Sequence, residues 1–350
     1  MASRADQRRL PAEWERQSGV LLTWPHRDGD WGSILGPVEH VFTHLAREIS
    51  LRERLLVVVA DDAHGAHVRG LIATAGGEMR RVTLQVAASD DSWARDHGPI
   101  TVQTQDGPLA LDFTFNGWGG KYKAGSDNRI TRTLAAAGCF GGTPLESHDM
   151  VLEGGSIDSD GAGTLLTTHR CLSHPGRNPT LSAADIEARL RDALGIQQVL
   201  WLNHGALAGD DTDSHIDTLA RFAHAGTIVY QACANGQDEN FNELNAMERE
   251  LEAARKDDGS AWRLVPLPSP RPIHDQQGRR LPASYANFLI INDAVLMPTY
   301  DDPADGTARE ILAGCFPDRE IVGVDCLPLI HQFGSLHCVT MQLPEGVLEN

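Results

Sequence analysis

Positive charge is scarce in this sequence. Its 350 residues hold 30 Lys and Arg against 48 Asp and Glu, a formal net charge of −18. That balance argues against a nucleic-acid binder, which needs surplus cations to neutralise phosphates. It suits a protein that draws cations towards itself, and equally one that is simply kept soluble by charge. No apolar run approaches the length that spans a bilayer, so no membrane partner is expected. The opening residues, Met1-Ala2-Ser3-Arg4-Ala5-Asp6, lack the apolar core of a secretory signal. The six cysteines (Cys139, Cys171, Cys233, Cys315, Cys326 and Cys338) form no C-x-x-C pair. Scattered thiols point to a reducing cytoplasm and not to a disulfide framework. Long linkers, low-complexity tracts and visible repeats are also missing, so a single α/β domain over residues 1–350 is the simplest expectation.

What is present is a 41% hydrophobic, 22% charged chain of ordinary globular composition. Short apolar runs predict strands at 19–25, 55–60, 82–87, 109–115, 163–168, 198–202, 227–231, 287–291, 294–297 and 336–342. Apolar residues at helical spacing (Val38, Val41, Phe42, Leu45, Ile49) predict a helix to Arg52. Ser182 with Asp185 three residues on reads as a capped helix start, ending near Leu194 before Gly195. A further helix is expected over 239–256.

Four segments combine reactive side chains with glycine near the ends of strand-like runs. Trp93-Ala94-Arg95-Asp96-His97-Gly98-Pro99 is an ionisable cluster before a turn, which also suits a solvated salt-bridge loop. Glu153-Gly154-Gly155 follows an apolar run and suits either a close-packed pocket or a plain turn. In 209–217 an extended chain would put His215 and Asp217 on one face. The same acidic stretch suggests a divalent ion, but it lacks the glycine and terminal Glu of an EF-hand loop, and no metal is expected. In Gly334-Ser335-Leu336-His337-Cys338 the thiol is either a small buried hydrophobe or a nucleophile with His and carboxylate partners elsewhere.

One chemistry would use all four. A guanidinium is planar and cationic, and its N–H groups match carboxylates in bidentate geometry. Each such charge contact at about 4 Å is worth roughly 4 kcal/mol at an effective dielectric near 20, before desolvation. A thiolate then attacks the central carbon, while a His protonates the departing ammonia and afterwards activates water.

These segments resemble the agmatine deiminase family, within the guanidino-group-modifying enzymes. The similarity starts at Pro11-Ala12-Glu13-Trp14-Glu15 and Trp24-Pro25. It continues through 91–99, Phe115-Asn116-Gly117-Trp118-Gly119-Gly120, Glu153-Gly154-Gly155 and Arg177-Asn178-Pro179. It ends with 211–217, Ser284-Tyr285-Ala286-Asn287-Phe288 and His337-Cys338-Val339-Thr340. The resemblance implies an α/β fold, a five-bladed propeller (pentein) of pseudo-fivefold ββαβ modules around a central site. It implies Cys338 as nucleophile, His215 as general acid and base, and Asp96 and Asp217 as the guanidinium clamp. Glu153 would pair with His215, and Trp93, Asp211 and Trp118 would line the pocket for the rest of the substrate. It implies no metal and no organic cofactor. Two departures stand out: Phe333 lies where the family has a run of glycines before the nucleophile, and Ser214 replaces the usual Gly before the central His.

The expected reaction is agmatine to N-carbamoylputrescine and ammonia, a step towards putrescine. Peptidyl-arginine or free arginine is the alternative substrate, for which a cation such as Arg would be expected in the outer pocket. A non-catalytic polyamine- or arginine-binding protein would have no need of the thiol. A cysteine peptidase would have no need of paired carboxylates. The partner is thus a small cationic guanidino compound, not nucleic acid, and a homo-oligomer is left open.

Overall fold

The computed structural model describes residues 8–348, so the polar segment Met1–Asp6 lies outside the described residues. No visible repeat exists in the sequence, yet one topological unit recurs five times. An antiparallel strand pair is followed, across a helical crossover, by a parallel third strand. The units are Thr340–Pro344, Gln17–Thr23 and Arg54–Val59, and Ile100–Thr104, Gly107–Thr114 and Leu145–Val151. Next come Ile157–Ser159, Thr164–Thr168 and Gln198–Leu202, and Ala220–His224, Thr227–Gln231 and Arg263–Leu267. The last is Leu289–Ile291, Ala294–Thr299 and Glu320–Asp325. Each unit has its own sheet; Val82–Val86 adds a strand to the first and Arg8–Arg9 to the second, and among the described residues none of the sheets closes on itself. The first unit joins the two ends of the chain, because its opening strand is the last one in the sequence.

Most predicted elements exist with shifted ends. The first long helix runs Leu35–Arg52 and buries Val38, Val41, Phe42, Leu45 and Ile49, each worth about 1.5–3 kcal/mol when fully buried. Ala183–Leu194 has the expected capping box, Ser182 N–H to Asp185 Oδ2 at 2.9 Å and Asp185 N–H back to Ser182 Oγ at 3.2 Å. Gly195 closes it at φ 71°, a left-handed turn that glycine adopts without strain. Helices Asp62–Thr74 and Ala304–Cys315 were not anticipated.

Two expectations fail for local reasons. The run 336–342 is a strand only from Thr340 onward. Before that, the His337 N–H is taken by Asn287, at 2.9 Å to Oδ1 and 3.2 Å to the carbonyl, so it cannot join a ladder. The segment 209–217 is not extended either. Asp213 and Ser214 have φ of 67° and 69°, and a 3-10 turn follows over Ile216–Thr218.

Candidate active site

The five units place five turns in equivalent positions, each just before the first strand of its sheet. These turns carry Asp96, Glu153 to Ser156, His215 with Asp217, Asn287, and Cys338. Residues 242 positions apart in sequence thus become neighbours. Gly155 marks where three of the turns meet. A Cβ placed there would stand 2.6 Å from His215 Nδ1, 2.9 Å from Asp96 Oδ1 and 3.1 Å from Asp217 Oδ2. Gly155→Ala is therefore expected to push the functional groups apart by some tenths of an ångström or more, costing about a hundredfold in kcat. Steady-state kinetics beside a melting curve test this; unchanged kcat would mean those three groups need not converge.

Cys338 Sγ lies 3.3 Å from Asn287 Nδ2 and 3.6 Å from Asp217 Oδ2. Asp217 Oδ2 also faces His337 Nδ1 at 2.8 Å, whereas its Oδ1 has no partner. Asp96 Oδ2 accepts from Trp118 Nε1 at 2.9 Å, and its Oδ1 accepts from the Gly155 N–H at 3.0 Å and stands 3.7 Å from His215 Nδ1. Among the described residues neither buried ring nitrogen of His215 has a well-formed hydrogen bond, although the Cys171 thiol lies within 4.8 Å. Buried polar atoms are rarely left unpaired, and here several cluster beside one cavity.

That cavity has a volume of about 210 Å³. Cys338 and Asp96 are its buried residues of reactive type, and Trp93, Trp118 and Phe333 supply aromatic wall. Asp30, Asp91 and Asp211 line it from more exposed positions. Of the sequence-predicted residues, Cys338, Asp96, Trp93, Trp118 and Asp211 border the cavity, while His215, Asp217 and Glu153 sit behind it, buried. Trp118 adopts φ 55°, ψ 50°, a left-handed conformation that costs a non-glycine residue about 1–2 kcal/mol and here aims its indole N–H at Asp96. Gly334 is required by contact, since a Cβ would lie 2.1 Å from the Trp93 ring. Phe333, at φ 66°, carries the Arg279 guanidinium 4.2 Å over its ring.

Burial sets the electrostatics. It pushes the Cys338 thiol well above its usual range, and Asp217 and Asp96 add to the effect. It raises Asp96 to about 6, with His215 opposing and Asp217 and Glu153 reinforcing. Burial disfavours a charged His215, but Asp96, Cys171 and Glu153 together outweigh it and hold its pKa well above normal. Asp217 stays below the usual carboxylate range because His337, His215 and Arg221 overcome its burial. These directions favour the protonated thiol and the cationic imidazole, set among carboxylates.

A family model described as Porphyromonas-type peptidyl-arginine deiminase matches residues 9–344. The chain belongs to this family. The agmatine deiminase of Stutzerimonas stutzeri A1501 is 33% identical over 96% of this chain and 95% of its own. Among solved structures, a presumed arginine deiminase from Porphyromonas gingivalis is 49% identical with a TM-score of 0.93, covering 98% of this chain and 100% of that one. A Campylobacter jejuni agmatine deiminase, a Cys-to-Ser variant with substrate bound, is 33% identical with a TM-score of 0.90 and 97% of both chains covered. As a member of this deiminase family, the protein is a hydrolase acting on guanidino C–N bonds.

Some site residues of this deiminase had no role in the sequence reading. One is Arg177: Glu153, expected to pair with His215 and with a carboxylate oxygen within 4.8 Å of that ring, also accepts from Arg177 Nε at 2.9 and 3.0 Å. Arg177 continues to Asp213 Oδ2 at 2.7 Å and the Thr212 carbonyl at 2.9 Å, which ties down the turn leading to His215. Asn287, beside the thiol, was likewise unassigned. Both lie in stretches noted for their similarity, Arg177-Asn178-Pro179 and 284–288, so the signal was present without its chemistry. Among the described residues one group has metal-ligand separations, Glu153, Cys171 and His215, with donor atoms within 4.8 Å of one another. A metal ion there would have to displace the Arg177 guanidinium from Glu153, so these residues fit an ion pair better than a cation site.

Proposed function

We propose that the protein is an agmatine deiminase, converting agmatine and water into N-carbamoylputrescine and ammonia on the route to putrescine. The supporting observation is the distribution of acid in the cavity. Asp96 at its buried end, with the Asp217 Oδ1 behind it, suits the guanidinium. Asp30, Asp91 and Asp211 at its more exposed end suit the terminal ammonium. Tyr122 already donates to Asp211 Oδ2 at 2.6 Å, which leaves the other carboxylate oxygen for substrate.

In this reading the bound cation lowers the pKa of Cys338, because an adjacent positive charge favours the thiolate, and the thiol proton is lost to solvent as substrate enters. The Cys338 sulfur attacks the guanidinium carbon and forms a C–S bond. Protonated His215 gives its proton to the departing nitrogen, and ammonia leaves. His215 then takes a proton from water, the hydroxide adds to the amidino carbon, and the C–S bond breaks as the hydroxyl proton passes to solvent, where the released ammonia becomes ammonium, leaving the ureido product and the thiolate. Asn287, donating towards the sulfur at 3.3 Å, stabilises the thiolate at both ends of the cycle. No metal or organic cofactor enters these steps.

Free arginine is the second reading, favoured by one observation. Arg279 sits over Phe333, at the wall of the cavity, where a substrate carboxylate would meet a cation. We further propose that the five ββαβ units are the blades of a five-bladed propeller, and that the reaction takes place in the cytoplasm. Among the described residues no helix is long and apolar enough to cross a membrane.

The decisive experiment measures ammonia and ureido product with agmatine, free arginine and a blocked peptidyl-arginine in parallel. Turnover of agmatine at a kcat/KM at least about a hundredfold above that for the others is expected, the range over which one misplaced charge discriminates. Preference for arginine would transfer the outer pocket's role to Arg279. Binding without turnover of any of them would establish a non-catalytic binding protein.

A further inference from the structure

Behind Asp217 a chain of ion pairs runs to the N-terminal segment, and no step above uses it. Glu13 lies in the turn between Arg8–Arg9 and Gln17–Thr23. Its Oε1 accepts from His337 Nε2 at 2.9 Å and from Arg95 Nη1 at 3.2 Å. Its Oε2 accepts from Gln342 Nε2 at 2.8 Å and from Arg221 Nη2. His337 is fully buried, and its other nitrogen, Nδ1, stands 2.8 Å from Asp217 Oδ2. The same oxygen lies 3.6 Å from Cys338 Sγ. One imidazole thus bridges a carboxylate on the N-terminal segment and a carboxylate beside the nucleophile.

An ionised carboxylate can only accept. Two ring nitrogens at hydrogen-bond distance from two carboxylates therefore need two protons in the Glu13–His337–Asp217 triad. Arg221, His337 and Arg95 overcome the burial of Glu13 and hold it well below the usual range. Burial, Arg221 and Arg95 draw the proton affinity of His337 down, and Glu13 leads the groups that oppose them. Asp217 in turn depends on His337, the first of the groups that overcome its burial. Charge on Glu13 opposes the net downward pull on His337 and so favours the second ring proton, while the His337 hydrogen bond holds Asp217 Oδ2, keeps that carboxylate below its usual range and leaves Oδ1 free. The other groups facing the triad are Arg95, Arg221 and Gln342 at its outer end, and His215, Asp96 and Cys338 at its inner end. Asp158 takes the Arg221 Nε at 3.2 Å.

We infer that Glu13 is a positioning residue of the active site, acting through His337 to orient Asp217. The inference rests on the reading of Asp217 as part of the guanidinium clamp. It gives the Pro11-Ala12-Glu13-Trp14-Glu15 segment a role in catalysis from a place remote from the cavity. Glu13 borders a separate cavity of about 80 Å³ together with Arg95 and Asp158, so an uncharged isostere has room to relax there.

The test is Glu13→Gln in the full-length protein, with Glu13→Asp as the charge-retaining control. Histidine labelled with ¹⁵N, assigned by the signal lost in His337→Asn, reports the protonation of the His337 ring without any substrate. Its second proton is expected to be lost at lower pH in Glu13→Gln than in wild type, with Glu13→Asp between the two. For turnover, kcat is expected to fall about ten- to a hundredfold in Glu13→Gln, as when the partner that orients a functional group is removed. Below the fall in kcat/KM set by Asp96, a second proton enters the acid limb at higher pH than in wild type, because Asp217 is then protonated more readily. An unchanged ring titration together with an unchanged acid limb overturns the inference, even if the variant melts earlier. Should the wild type turn over neither agmatine nor arginine, the functional reading falls, while the ring titration still decides the triad.

Discussion

Cys338→Ser is expected to bind agmatine and to release ammonia at least about a thousandfold more slowly than wild type, the scale of loss seen when a covalent nucleophile is removed. A serine hydroxyl is a far weaker acid than a thiol. At this position even the thiol is held above its usual range by burial and by the Asp217 and Asp96 carboxylates, so an alkoxide is out of reach. The fold has little reason to respond. Oxygen for sulfur is a small volume change, and Asn287 Nδ2, 3.3 Å from the sulfur, can donate to either atom. Single-turnover kinetics with mass spectrometry of the quenched enzyme separate the roles. Wild type should carry an amidino adduct on the peptide containing Cys338, and the variant should carry none. Ammonia release within tenfold of wild type would remove Cys338 as the nucleophile, whatever the fold does.

The second large effect concerns the clamp. Asp96→Asn keeps the shape but removes a charge that, in the proposed clamp, faces the substrate guanidinium. Unpairing one partner of a buried charge pair costs about 2–5 kcal/mol, hence roughly thirty- to several-thousandfold in kcat/KM. Stability should move the other way. Burial raises the carboxyl of Asp96 from 3.8 to about 6 in the folded protein. A raised carboxyl pKa favours the folded state while the group is protonated, and that advantage is lost as pH rises through about 6. At neutral pH the ionised Asp96 therefore costs the fold on the order of 3 kcal/mol, which a neutral Asn avoids. The variant should melt no lower than wild type at pH 7 while losing most activity. The acid limb of wild-type kcat/KM, which reports the free enzyme, should fall as pH drops through about 6, and this component should vanish in Asp96→Asn. Near-wild-type kcat/KM would take Asp96 out of the site.

Both predictions concern residues that could be named from the sequence, because reactive side chains next to glycines are legible there. Helix 183–194 was legible for a similar reason, as its capping box and its closing glycine are local interactions. The pairing of His215 with Asp217 was argued from an extended chain that does not exist. Both instead approach Gly155 from a turn in which Asp213 and Ser214 take left-handed backbone conformations and a 3-10 turn follows. Ser214 at φ 69° does what a glycine would do there with less strain, so this departure leaves the turn intact. Phe333 likewise fits at φ 66° and becomes cavity wall in place of a glycine-rich loop. Glu153, left open between a close-packed pocket and a plain turn, is buried, and it accepts from Arg177, 24 positions away, a contact that no local pattern encodes.

By itself the sequence determined the class of fold, the acidic character, several element boundaries and the short list of reactive residues. Those properties follow from composition, from periodicity and from hydrogen bonds between near neighbours. Only the tertiary structure decided which of these residues meet. Five similar units, invisible as sequence repeats, set five turns side by side. That arrangement puts Cys338 against Asn287 and Asp217, brings Asp96 to His215 across Gly155, and connects Glu13 to the nucleophile's neighbour through His337. The pKa of each group depends on burial and on charges from other units, so the chemistry of the site exists only once the units have packed.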